Sequence, residues 1–111
     1  MDKFRRKELA REYKEQKARP AVFAVRCTAT HEVWVARAPE PEKKHTSLWF
    51  QLRLGGFPNK EMQAAWNAHG EASFAFEILE EIEDENEQMI PVLLKDREAY
   101  WRKQLNAGTL V

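Results

Sequence analysis

The side chains equipped for chemistry are few and scattered. There are three histidines, His31, His45 and His69, and a single cysteine, Cys27. No two histidines stand at zinc-ligand spacing, and one cysteine makes neither an intramolecular disulfide nor a cysteine zinc cluster. No glycine-rich phosphate loop exists, since Gly55-Gly56 reads as a helix stop. The remaining candidates suit anion binding. His45 follows Lys43 and Lys44, a grouping able to touch phosphate, although a plain loop histidine is the simpler reading. Arg37 and Arg53 lie to either side. Glu98 stands one turn before Arg102, the spacing of a helix-surface ion pair. His31 reads as a solvated loop residue. His69 reads as structural, at a helix C-terminus whose partial charge favours the protonated ring.

Alternating apolar runs mark the elements that must position these residues. Ala21–Cys27 (AVFAVRC) and Glu32–Arg37 (EVWVAR) read as two strands joined as a β-hairpin. Phe23 and Val25 share one face of the first, and Trp34 and Ala36 one face of the second. Which faces coincide depends on register. A third strand, Ser73–Glu81, alternates Phe74, Phe76 and Ile78 with Ala75, Glu77 and Leu79, a pattern for a strand partly covered on both faces. Helices are expected at Leu48–Leu54, capped by Thr46 or Ser47, at Lys60–His69, capped by Asn59 and closed by a left-handed Gly70, and from about Pro91 to Leu105. Ala38–Lys44, with two prolines, reads as a loop. Trp49, Trp66 and Trp101 lie at helical spacing with other apolar residues and read as core. The fold class is α+β: a three-stranded antiparallel sheet flanked by helices.

Composition sets the outer bounds. The 111 residues are 43% hydrophobic and 32% charged, which fits one small domain. Eighteen basic residues balance 18 acidic ones, so bulk charge argues for neither nucleic acid nor membrane. The distribution is uneven. Residues 1–19 read as a basic helix over Asp2–Lys17, with a thin apolar stripe of Phe4, Leu9 and Tyr13, while Glu80–Glu87 is acidic. The domain proper then spans residues 20–111. No apolar run nears the roughly 20 residues of a membrane span, and the charged N-terminus lacks a signal-peptide core. The expected setting is cytoplasmic.

Taken together, the order and four stretches resemble the GIY-YIG nuclease superfamily. AVFAVRCTATHEVWVAR sits where that family has its two signature strands. EMQAAWNAHGEASFAFEILEEIED resembles its helix-glycine-strand unit, and LLKDREAYWRKQLN its metal-binding helix. LWFQLRLGGFPNK is similar to a bacterial subgroup of small stand-alone members. The resemblance covers Ala21 to Asn106. It implies hydrolysis of a DNA phosphodiester, with a tyrosine on each signature strand for the attacking water, an arginine for the phosphate, and a glutamate holding Mg2+ or Mn2+.

Transferred position by position, the match is uneven. The tyrosine positions hold Phe23 and Trp34, the glycine ending the second motif is Ala36, and the arginine position holds Lys44, or Ser47 on the subgroup's pattern. The glutamate matches cleanly as Glu98, and Asn106 is the candidate for an asparagine that follows this helix in many members. A positioned acid or base contributes about 10²–10⁴-fold, and a charge-stabilising donor about 10²–10³-fold. Losing both hydroxyls and the arginine implies a catalytically impaired member. Phe23 and Trp34 then read as core or cleft aromatics able to stack an unpaired base. Arg19, Arg37, Lys43, Lys44, His45 and Arg53 are its DNA-binding candidates around Phe23, Trp34 and Glu98. One alternative is an active nuclease using Lys44, His45 or Arg37 in place of the lost groups. Another is a protein-interaction module docking through the N-terminal helix and the acidic run.

Overall fold

The computed structural model describes residues 19–110; the expected basic helix of residues 2–17 lies outside them. Strands β1 (Ala21–Cys27) and β2 (Glu32–Ala38) form the expected hairpin. Its four-residue turn closes with the His31 N–H donating to the Cys27 carbonyl at 2.8 Å. His31 takes a positive φ of 67° there, a conformation a non-glycine residue accepts in turns. β3 (Phe74–Glu81) pairs with the other side of β1, giving an antiparallel sheet of order β2-β1-β3.

The register settles which side chains share a face. Phe23 pairs with Ala36 and Val25 with Trp34, so Phe23 and Trp34 lie on the same side. Between Val22 and Phe23 the pairing with β3 shifts by one residue, leaving Leu79 as the bulged extra. Phe74 and Phe76 point to the side of Phe23 and Leu79 packs with the cluster of Val22 and Ala24, as alternation places them; the bulge re-aims Glu80, which pairs with Val22 and turns to that second side as well. As an edge strand, β3 is covered less than its alternation predicts, with Ala75, Glu77 and Ile78 exposed.

Three helices cover the sheet. Helix α1 runs Pro41–Leu54, beginning well before the expected Leu48. Pro41 occupies the first helical turn, where a missing N–H costs nothing and the fixed φ is already helical. From Pro41 onward the segment read as a loop is therefore helix, with Ala38 ending β2 and only Pro39-Glu40 between them, and Lys43, Lys44 and His45 ride on the helix. Thr46 and Ser47 are interior residues and not caps; the Thr46 hydroxyl donates back to the Glu42 carbonyl at 3.2 Å. Left-handed Gly55 ends α1, with the Gly55 and Gly56 N–H groups donating to Leu52 and Gln51 carbonyls. Helix α2 (Lys60–His69) has the expected Asn59 cap, whose Oδ1 accepts from the Met62 N–H at 3.1 Å. Gly70 does not take the left-handed helical conformation expected of it. Its φ is positive at 85° but its ψ of 169° is extended, and the chain passes straight into a short 3-10 turn, Glu71–Ser73. Helix α3 (Ile90–Leu105) ends on Asn106 in the left-handed region.

Two cores result. Phe23, Val25, Trp34, Leu48, Trp49, Leu52, Met62, Trp66 and Phe74 fill the side covered by α1 and α2. Val22, Ala24, Val35, Ile82 and Leu94 fill the side covered by α3, with Trp101 packed against them. After α3 the chain straps the outer edge of β2. The Gly108 N–H donates to the Val33 carbonyl and the Val35 N–H to the Gly108 carbonyl, each at 2.9 Å. Leu110 then enters the first core. Among the described residues, no helix is long and apolar enough to cross a membrane.

Candidate functional site

The sheet divides the sequence-predicted site residues between its two faces. On the α1–α2 face, Phe23 is wholly buried and stacks on Phe76, ring centroids 4.7 Å apart. Phe76 in turn stacks on His45 at 4.2 Å with rings almost parallel, and His45 meets the edge of Trp49 at 4.4 Å. Trp34 is buried and stacked on Phe74. Neither Phe23 nor Trp34 presents a ring to an incoming base. Burial among these rings pushes the His45 pKa below its usual 6.5, against a smaller opposing pull from Glu71. His45 is therefore neutral at pH 7, able to accept a proton.

Lys44 is exposed on α1 and makes no ion pair among the described residues. Lys43 pairs with Glu40 at 3.0 Å. It lines an open groove with Glu42, Thr46, Ser47, Phe50 and Arg53. Arg53 is held by both Glu71 oxygens, at 3.1 and 3.0 Å. Their hydrogen bond holds the Glu71 carboxyl below its ordinary range and raises Arg53. Arg19 pairs with Glu83, away from this group in sequence and in partner.

Arg37 and Glu98 lie on the opposite face. Arg37 follows Val33 and Val35 at strand period, so it points to the α3 side, where its Nη1 donates to Glu98 Oε1. Arg102 Nη2 donates to Glu98 Oε2 at 2.8 Å. The Glu98 side chain is only 11% exposed, against 46% for Arg37 and 32% for Arg102. The Arg102 Nε is buried without a hydrogen-bond partner among the described residues. A second acid sits higher on the same face. Glu80 Oε1 accepts from Arg97 Nε at 2.8 Å and Trp101 Nε1 at 2.9 Å. Burial pushes Glu80 up, but these two hydrogen bonds outweigh it and hold the carboxyl below the usual range. The Arg97 guanidinium also lies 4.1 Å above the Tyr100 ring.

Comparison with known proteins identifies the architecture. No family model matches the chain. Intron-associated endonuclease 1 of Enterobacteria phage T4 is 30% identical over 86 residues, which make 78% of this chain and 33% of the phage protein. This chain thus spans about a third of that relative's length. The solved catalytic domain of homing endonuclease I-TevI superposes with a TM-score of 0.66 at 30% identity, covering 78% of this chain and 88% of that one. The chain belongs to the GIY-YIG nuclease superfamily. A variant of the same catalytic domain superposes with a TM-score of 0.68 at 28% identity, covering 79% and 84%. The GIY-YIG sheet with its three helices is accordingly the fold of this chain.

The divalent ion that the GIY-YIG fold implies does not fit the donor set around Glu98. A magnesium-like ion accepts one carboxylate completed by water and substrate phosphates, but that carboxylate must offer an oxygen. Each Glu98 oxygen already accepts from a guanidinium group, so an ion would have to displace or share with two cations. Among the described residues no three His, Cys, Asp or Glu side chains gather to hold a metal. Charge reinforces the point. The cluster already sets two guanidinium groups against one carboxylate, so an ion at Glu98 would meet the like charge of both. Asn106 caps α3 and borders a shallow cleft with His31, Trp34, Glu61 and Gly108.

Sequence reasoning found the Glu98–Arg102 spacing but not Arg37 as the second partner, 61 residues away. The parity of Val33, Val35 and Arg37 was the available signal. The Arg97–Glu80–Trp101 network was missed too, although Arg97 and Trp101 stand one helical turn apart.

Proposed function

We propose that this GIY-YIG chain binds DNA through backbone phosphates and has little or no phosphodiester cleavage. The observation that carries the reading is the burial of Phe23 where the family places a tyrosine. Its ring is fully enclosed and stacked on Phe76, so the position supports packing and not activation of water. Exposed Lys44 and half-exposed Arg37 support the binding half, as does the endonuclease description of the relatives. The test is plasmid nicking with Mg2+ and Mn2+ beside anisotropy of a labelled duplex at rising salt. The expected result is background nicking and duplex binding at low salt. That binding should fall linearly in log–log form with a slope of about −0.9 per phosphate neutralised. Metal-dependent nicking above background, or no binding at low salt, overturns it.

A second reading has one specific observation behind it. His45 is kept neutral and reaches the stack containing Phe23, so it has the protonation state of a general base. On that reading the chain nicks DNA, and His45→Gln removes the nicking.

A further inference from the structure

The glutamate that matches the family's metal position is the most conspicuous acid of the α3 face, and it is engaged on both oxygens by cations. The cluster Arg37–Glu98–Arg102 carries one negative and two positive charges. Its acid is almost enclosed, while Arg37 reaches outward. Arg37 spends one donor on Glu98 Oε1, and a guanidinium has five. A planar fork with donors to spare matches a phosphate bidentately.

We propose that the guanidinium of Arg37 stands in the place of the divalent ion, making Glu98 the counter-anion that positions a phosphate-binding arginine and not a metal ligand. The arginine supplies positive charge to the phosphate directly, so binding needs no metal. Glu98 and Arg102 are positioning residues: the first aims Arg37, the second fixes Glu98. The phosphate half of this inference rests on the DNA reading above; the exclusion of metal does not.

The experiment uses the full chain with two probes. Retention of Mn2+ is followed by loss of its sharp six-line electron paramagnetic resonance spectrum, in wild type, Glu98→Gln and Arg37→Ala. Duplex binding is followed by anisotropy in EDTA and in Mn2+. Wild type and Glu98→Gln should retain Mn2+ equally, and Arg37→Ala should retain several-fold more because its carboxylate is uncovered. Mn2+ should not strengthen duplex binding over EDTA, and Arg37→Ala should weaken that binding and lower the salt slope by about one. Mn2+ retention by wild type that Glu98→Gln removes overturns the proposal, and so does no gain in Arg37→Ala. Duplex binding indifferent to Arg37 overturns its phosphate role. A chain that binds no duplex in any condition overturns the DNA reading, while the Mn2+ arm still decides whether Arg37 excludes the ion.

Discussion

On the α1–α2 face of the sheet, Phe23, Phe76, Phe74, Trp49 and Trp66 pack ring against ring, and burial beside them biases the stacked His45 towards its neutral form. On the α3 face, Val22, Ala24 and Val35 form a smaller aliphatic floor beneath two ionic clusters, Arg37–Glu98–Arg102 and Arg97–Glu80–Trp101. The first face is held together by aromatic packing. Phe23 and Trp34 each stack on a neighbouring ring, and aromatic pairs add about 0.5–1.5 kcal/mol beyond their burial. The second face holds its acid between arginines that stay partly in water. Its ionic clusters sit where an edge strand and a helix flank leave access to solvent.

The contrast can be broken at its centre. Phe23→Ala should cost about 3–5 kcal/mol, the usual range for emptying a buried aromatic site, read as a fall in denaturation midpoint at unchanged slope. A loss under 1 kcal/mol would mean that the aromatic face is loosely packed. Restoring the family's hydroxyl is a sharper test. Phe23→Tyr places a polar group among rings, so it should cost about 1–3 kcal/mol and produce no nicking; gained nicking would mean the face is still a latent site. On the ionic face, Glu98→Ala should cost less, about 1–2 kcal/mol, because Arg37 and Arg102 are each about a third or more exposed and rehydrate when released. A larger loss would make that face as sealed as the other.

The pH dependence of stability separates the faces further. The folded pKa of His45 lies below 6.5, so the unfolded chain takes up its proton first. Stability should be full above pH 6.5 and decline as pH falls through the lower folded value. His45→Phe should flatten this decline between pH 6.5 and 4.5, above the carboxylate range in which Glu80 and Glu71 lose their contributions. An unchanged curve would remove His45 from the account. The smallest effect is expected at Arg53→Ala, since the Arg53–Glu71 pair is solvent-exposed: its thermal midpoint should match wild type.

Much of the scaffold was readable because its signals are local. Strand alternation located all three strands, Asn59 and Gly55 acted through their own backbone neighbours, and Phe74 and Phe76 followed period two. The start of α1 was not readable from two prolines, because the same residue that breaks a helix interior suits its first turn. The Leu79 bulge inverts the facing of the last β3 residues, and periodicity assumes no such slip. The candidate site was legible as a set of positions but not as an arrangement. Phe23 and Trp34 needed the register to be placed together, and Arg37 needed it to be placed with Glu98 on the other side. Lys43, Lys44 and His45 changed meaning once the loop holding them became helix.

The strap after α3 bears on how this small sheet behaves among other proteins. An uncovered strand edge is a template on which foreign strands can add. At β2 that edge is occupied at Gly108 by the chain's own backbone, and the fit admits little else, since a Cβ at Gly108 would stand 3.3 Å from Trp34 Cδ1. Asn59 Nδ2 fastens the next stretch by donating to the Thr109 carbonyl at 2.7 Å. A few residues without chemistry of their own thus guard the hairpin against edge-to-edge aggregation. A bulky side chain at Gly108 would be felt in solubility before it was felt at either face.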